Sequence, residues 1–155
     1  MDSPSYKKKP IAYLTRKEQI SCCHRLNSPF LNEHENTRVY GKCNNIFGHG
    51  HNYIVEVTVR GPIDPSTGMV INMTDLKDYM QKVVIDQMDH KNIDKQLDYF
   101  TRTISTTENI AVYIFEELKK VMSNPKLLYE VKVHETDKNV MYFRGEYDED
   151  VSSDF

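Results

Sequence analysis

The sequence predicts an α+β fold, an antiparallel four-stranded sheet with two helices on one face. Three observations carry that reading. Stretches of two-residue apolar alternation lie toward both ends of the chain. Stretches with a helical apolar period lie in the middle. Clusters of Gly, Pro and Asn punctuate the joins. The order strand, strand, helix, helix, strand, strand leaves open sheet edges. Such edges are expected to pair between subunits and to close an oligomeric barrel.

The elements follow in chain order. Residues 1–10 form an arm with Lys7-Lys8-Lys9 and are expected to be flexible. A first strand is expected from Ile11 to Leu26, with Ile20, Cys22 and His24 on one face. Asn27 to Asn36 reads as a loop. A second strand runs from His49 to Arg60. There Tyr53, Val55, Val57 and Val59 alternate with Asn52, Glu56, Thr58 and Arg60, and Ile54 alone breaks the pattern. Gly61-Pro62 ends it, and a turn from Asp64 to Gly68 leads to a short extended piece, Met69-Val70-Ile71. Leu76, Met80, Val83, Val84 and Met88 keep helical spacing in a helix from Thr74 to Met88. A second helix starts at Ser105, with Ser105 and Glu108 as a capping box, and stops at Asn124-Pro125. Its stripe is Ala111, Ile114, Phe115, Leu118, Val121 and Met122. Strands from Leu128 to Thr136 and from Asn139 to Tyr147 close the chain as a hairpin, and the acidic tail over 148–155 is expected to be flexible.

With 155 residues the chain is expected to form a single domain. Twenty Lys and Arg against 23 Asp and Glu give no electrostatic reason for a nucleic-acid or membrane partner. No apolar run approaches the ~20 residues of a membrane helix. Three cysteines without a secretory leader point to reduced thiols and a cytoplasmic location.

One stretch carries most of the chemistry: Gly41-Lys42-Cys43-Asn44-Asn45-Ile46-Phe47-Gly48-His49-Gly50-His51. His49 and His51 project to one side of a strand and can grip one metal ion, and neutral imidazole suits zinc. A zinc that does chemistry takes three protein ligands and keeps one open position. His24, at the end of the neighbouring strand, is the expected third ligand. Cys22, on the same face, is a competing one. Cys43 reads either as a thiol activated near the metal or as a small buried hydrophobe. Asp89-His90 reads as a carboxylate orienting an imidazole or as a plain helix end. Glu135 closes an apolar strand face and could take a guanidine-like edge by two parallel hydrogen bonds, or simply reach solvent. Thr106 and Thr107 lie in the first turn of a helix, where free backbone donors cluster, or serve only as caps. His34 and His134 receive no role.

These pieces together resemble the 6-pyruvoyl-tetrahydropterin synthase family. The matching runs are Ser21-x-x-His24-Arg25-Leu26, Cys43-Asn44-Asn45-x-x-Gly48-His49-Gly50-His51-Asn52-Tyr53 and Asp64-Pro65-x-Thr67-Gly68-Met69-Val70. Further runs are Asp89-His90-Lys91-Asn92, Ser105-Thr106-Thr107-Glu108-Asn109 and Glu135-Thr136. The likeness extends from about residue 11 to 147. Five residues separate Cys43 from His49, as in the animal-type enzymes; the related bacterial 6-carboxytetrahydropterin synthases usually have three. The chain departs from the common pattern at Cys22-Cys23, at Ile46-Phe47 and from Lys126 to Tyr129.

The resemblance implies a tunnelling-fold lyase of tetrahydrobiopterin synthesis. Its substrate would be 7,8-dihydroneopterin triphosphate. It implies one Zn2+ per subunit on His24, His49 and His51, and leaves room for Mg2+. It implies Cys43 as base, Asp89 and His90 as its support, and Glu135 with Thr106 and Thr107 as pterin anchors. It also implies a homohexamer of two stacked trimers, in which Asp89 and His90 reach Cys43 of a neighbour. The motifs assign no residue to the triphosphate. Three other readings stand beside this one: a 6-carboxytetrahydropterin synthase-like enzyme, a zinc hydrolase, and a non-catalytic pterin-binding relative.

Overall fold

One long hairpin frames the computed structural model, which describes residues 8–148. β1, Ile11–His24, and β2, His49–Pro62, pair antiparallel without interruption from Ile11 opposite Pro62 to His24 opposite His49. Alternation decides the faces. Tyr53, Val55, Val57 and Val59 are buried, and Ile20, Cys22 and His24 join them from β1. The expected flexible arm and tail fall largely on residues 1–7 and 149–155, outside the described residues.

The sheet has five strands, not the four expected, in the order β3 (Lys91–Asn92), β1, β2, β4 (Leu128–His134) and β5 (Val140–Phe143). β4, Leu128–His134, pairs with β2, and β5, Val140–Phe143, pairs with β4, both antiparallel. The added strand, β3, is Lys91–Asn92, parallel to Cys22 and Cys23 of β1. Two polar residues offer no alternation to read. β3 exists because the chain leaving the first long helix is drawn back along the end of β1.

Residues expected as loop contain the start of a helix, α1, Glu33–Tyr40. Asn32 caps it, and Glu35 reaches back to the Asn32 amide in a full capping box. Its buried member is Asn36, so it lacks the apolar stripe that announces a helix. α2, Met73–Met80, is capped by Asn72, continues through a π turn, Gln81–Ile85, and ends in Asp86–Met88. Leu76, Met80, Val83, Val84 and Met88 are fully buried, as their spacing predicts. Met69 to Ile71, expected to be extended, pairs with no strand.

α3, Thr107–Val121, is capped by Thr106, whose side chain accepts from the Asn109 amide at 3.3 Å. The expected cap, Ser105, lies one residue too early because its carbonyl is used elsewhere, as described below. Ile110, Ala111, Ile114, Phe115 and Leu118 of α3 meet the α2 stripe and the inner valines in one core. Each fully buried Leu, Ile, Met or Phe side chain contributes about 1.5–3 kcal/mol. The helices therefore clamp one face of the hairpin, and the end of the ladder at His24 and His49 is held rigidly. The opposite face and edge keep Ile11, Tyr13, Val140 and Tyr142 exposed.

Candidate active site

The strand register builds the centre. His24 stands directly opposite His49, and His51 lies two residues along the same face. The ligand atoms of His24, His49 and His51 all lie within 4.8 Å of one another, the one such cluster among the described residues. The rings stand nearly edge to face, with centroids 4.6, 4.8 and 5.3 Å apart.

Second contacts fix how the rings present themselves. His24 is 1% exposed, and its Nδ1–H donates to the Ser105 carbonyl at 2.7 Å. That bond leaves Nε2 as the lone-pair atom. His24 Nε2 lies 3.0 Å from His49 Nε2. A tetrahedral zinc with nitrogens at 2.0–2.1 Å separates its ligand atoms by ~3.3 Å, so the pair needs little adjustment to accept an ion. Burial, and then the neighbouring imidazoles, hold His24 and His49 below the ordinary imidazole range, although the Ser105 carbonyl opposes this at His24. Both rings are thus neutral near pH 7, the state that binds a metal. The Tyr53 hydroxyl, 3.4 Å from His24 Nε2, is pushed up first by burial and then by Glu135, so it stays a neutral donor.

Cys22, the competing ligand, turns away. Its thiol donates to the Met88 carbonyl at 3.1 Å, and burial, then the charge of Asp89, raises its pKa to about 12. It serves as core and not as a ligand. Its position opposite His51 in the ladder does not help it, because α2 packs over its side chain.

Cys43 sits in a 3₁₀ turn, Gly41–Asn44, tied to the residues after His24. The Leu26 amide donates to the Cys43 carbonyl at 3.0 Å. Buried Asn44 donates to the Leu26 carbonyl at 2.7 Å and to Asn27 Oδ1 at 3.0 Å. Arg25 Nε donates to the Asn44 carbonyl at 2.8 Å, and the Arg25 amide donates to Asp94 Oδ2 at 2.6 Å. Gly48 closes the loop at φ 76°, where a Cβ would meet the His24 carbonyl oxygen at 3.0 Å and Cys23 Sγ at 3.1 Å. The sequence assigns no role to Arg25, Asn44 or Asp94, since bonds to backbone partners leave no motif.

Asp89 and His90 do touch. Asp89 Oδ2 lies 2.9 Å from His90 Nδ1. Asp89 Oδ1 accepts from the Ser21 amide at 2.8 Å, and the His90 amide donates to the Ser21 carbonyl at 2.7 Å. The Ser21 amide, and less strongly His90, hold the Asp89 carboxyl below its ordinary value. His90 adopts φ 61°, a left-handed conformation costing about 1–3 kcal/mol in a non-glycine residue. Its side chain is 84% exposed, with no contact to Cys43 among the described residues.

Glu135 follows β4, and its Oε1 lies 3.3 Å from His51 Nε2. Its amide donates to the Asn139 carbonyl at 3.0 Å, closing the turn into β5. Thr107 is 3% exposed, with its hydroxyl toward the Tyr53 hydroxyl, and buried Ser105 Oγ has no protein partner among the described residues. Thr106 is the α3 cap. His134 pairs with Glu56 on the far face of the sheet, away from the triad.

Comparison with known proteins agrees with this geometry. The model of the family described as 6-pyruvoyl tetrahydropterin synthase matches residues 13–146. The chain is 57% identical over 138 residues to 6-pyruvoyl tetrahydrobiopterin synthase of Drosophila melanogaster, covering 89% of this chain and 82% of the relative. It is 52% identical over 135 residues to the Homo sapiens protein of the same name, covering 87% and 92%. The structure of Caenorhabditis elegans 6-pyruvoyl tetrahydropterin synthase superposes with a TM-score of 0.88 at 46% identity, covering 91% of this chain and all of that one.

Proposed function

The chain belongs to the 6-pyruvoyl tetrahydropterin synthase family, and on that premise we propose that it converts 7,8-dihydroneopterin triphosphate to 6-pyruvoyl-tetrahydropterin. Triphosphate leaves, the side chain becomes a diketone, and the ring is reduced without an external reductant. The reaction is a carbon–oxygen lyase step of tetrahydrobiopterin biosynthesis. The observation that carries the reading is the convergence of three imidazoles from two paired strands, with His24 Nε2 and His49 Nε2 at 3.0 Å.

His24, His49 and His51 would hold one Zn2+, with His24 oriented by the Ser105 carbonyl. When bound, the ion supplies Lewis acidity to the side-chain oxygens and so acidifies the neighbouring C–H protons. Cys43 is the base that takes a side-chain proton. His90, oriented by Asp89, relays a proton during ring reduction. Glu135 takes the amino and N–H edge of the pterin by two parallel hydrogen bonds, and its carboxylate lies beside His51. Thr106 and Thr107 flank that edge, and the buried Thr107 hydroxyl beside Tyr53 supports this role. The 84% exposure of His90 supports a shared site, in which the pair serves Cys43 of a neighbouring subunit. Exposed Ile11, Tyr13, Val140 and Tyr142 support a homohexamer closed by sheet pairing. Free Cys22, Cys23 and Cys43 support a cytoplasmic location. No helix among the described residues is long and apolar enough to cross a membrane.

Product formation from 7,8-dihydroneopterin triphosphate, with and without a chelator, tests the proposal. Turnover should vanish on zinc removal and return on zinc addition, and Cys43→Ala should lose nearly all of it. Normal turnover by chelated protein contradicts the zinc role. Full activity of the Cys43→Ala chain would instead favour hydrolysis at a zinc centre.

A further inference from the structure

Beside the triad lies a cleft of about 380 Å³ whose walls continue the very segments that carry the site residues. Arg25 follows His24 and Gly48 precedes His49. Thr103 and Ile104 precede Ser105, and Asn92, Asp94 and Lys95 face them. Two cations and one carboxylate line it. Arg25 is pinned by Nε to the Asn44 carbonyl at 2.8 Å, and its Nη1 has no protein acceptor among the described residues. Lys95 is exposed and forms no ion pair among the described residues. The opposing carboxylate, Asp94, has Oδ2 occupied by the Arg25 amide at 2.6 Å. Asn27, Asn92 and Thr103 add neutral donors to the walls.

Direction gives the cleft its meaning. Glu135 lies against His51 at 3.3 Å, on one flank of the triad. Gly48 and Arg25 lie on the other flank, beyond His49 and His24. A ligand whose ring edge sits at Glu135 and whose side-chain oxygens sit between the imidazoles must send its far end into this cleft. We propose that the cleft is the polyphosphate subsite, with Arg25 and Lys95 as its cationic contacts and Asn27, Asn92 and Thr103 as neutral donors. The assignment rests on the reading of the substrate given above. Arg25 has two tasks there: it holds the Cys43 loop through Asn44 and turns its remaining donors to the anion. Lys95 is a point charge at the mouth, so its contribution falls with added salt.

Inorganic triphosphate is the probe. It should inhibit turnover competitively with the pterin triphosphate in the unaltered chain. Lys95→Glu should raise both its inhibition constant and the substrate KM by roughly tenfold or more, the scale of one charge-assisted contact reversed. A smaller rise for Lys95→Ala should shrink further as salt is raised. Binding of 7,8-dihydroneopterin, which lacks the phosphates, should not change in either variant, and zinc content should not change. Lys77→Glu, on exposed α2 surface away from the cleft, controls for net charge and should leave KM and the inhibition constant as they were. Inhibition that is not competitive, or an unchanged KM in Lys95→Glu, overturns the assignment. Failure of the unaltered chain to turn over the pterin triphosphate would instead overturn the parent reading, so the two failures are told apart.

Discussion

The buried triad and the exposed Asp89–His90 pair are built by opposite means. His24 is buried, its ring is fixed by a carbonyl, and its partners come from a strand in unbroken register. His90 is 84% exposed, adopts φ 61°, and is held only through Asp89 and the Ser21 backbone. The triad that could hold a metal ion is thus complete inside one chain. The Asp89–His90 pair, to which we assign proton transfer, faces outward, where the proposed neighbouring copy would lie. Ligand binding and proton transfer should therefore separate under mutation.

The largest effect should follow loss of a ligand. His49→Ala should drop zinc from about one ion per chain to near zero, measured by plasma emission. It should cut turnover by more than a hundredfold, beyond the loss typical of changes to groups that merely support a ligand. His90→Ala should act differently. Zinc content and dihydroneopterin binding should persist while kcat falls by about 10²–10³-fold, the range of a general acid–base group. Mixing unfolded Cys43→Ala and His90→Ala chains and refolding them together should restore part of the turnover. No recovery in the mixture would place both groups in one chain and break the contrast.

A smaller effect is expected at Asn44, which ties the Cys43 turn to the residues after His24. Asn44→Ala leaves the Leu26 carbonyl and Asn27 Oδ1 without their donor, while the Arg25 Nε bond to the residue-44 carbonyl remains. It should cost about 1–3 kcal/mol and lower Tm by several degrees, measured by calorimetry. It should also alter the rate at which iodoacetamide modifies Cys43.

The smallest effect concerns acid. The Asp89 carboxyl titrates below its unfolded value, chiefly because it accepts from the Ser21 amide. Its contribution to stability is therefore present above the unfolded carboxyl range, near pH 4, and is lost as pH falls through the lowered native value. Unfolding of Asp89→Asn and of the unaltered chain should differ slightly at about pH 6 and converge as the pH falls through the lowered native value.

The contrast also explains what the sequence could reveal. Periodicity declares burial, so β1, β2, the α2 and α3 stripes and the three histidines were all legible. α1 was not, because Val39 and Tyr40 form no buried apolar stripe and only the Asn32 and Glu35 cap marks it. β3 has two residues and no alternation. The π turn leaves the apolar spacing of α2 readable while changing its hydrogen bonding. The α3 cap shifted to Thr106 because the Ser105 carbonyl takes the His24 ring, a backbone role that no side chain reports. Cys22 looked like a ligand by face alone. The Met88 carbonyl that claims its thiol comes from α2, far away in sequence.

X-ray absorption at the zinc edge of the purified protein tests the central claim most directly. Three imidazole nitrogens at about 2.0–2.1 Å with one lighter, exchangeable oxygen and no sulfur is the result expected. A sulfur scatterer at about 2.3 Å, from Cys22 or Cys43, or a shell saturated by protein ligands, would contradict it.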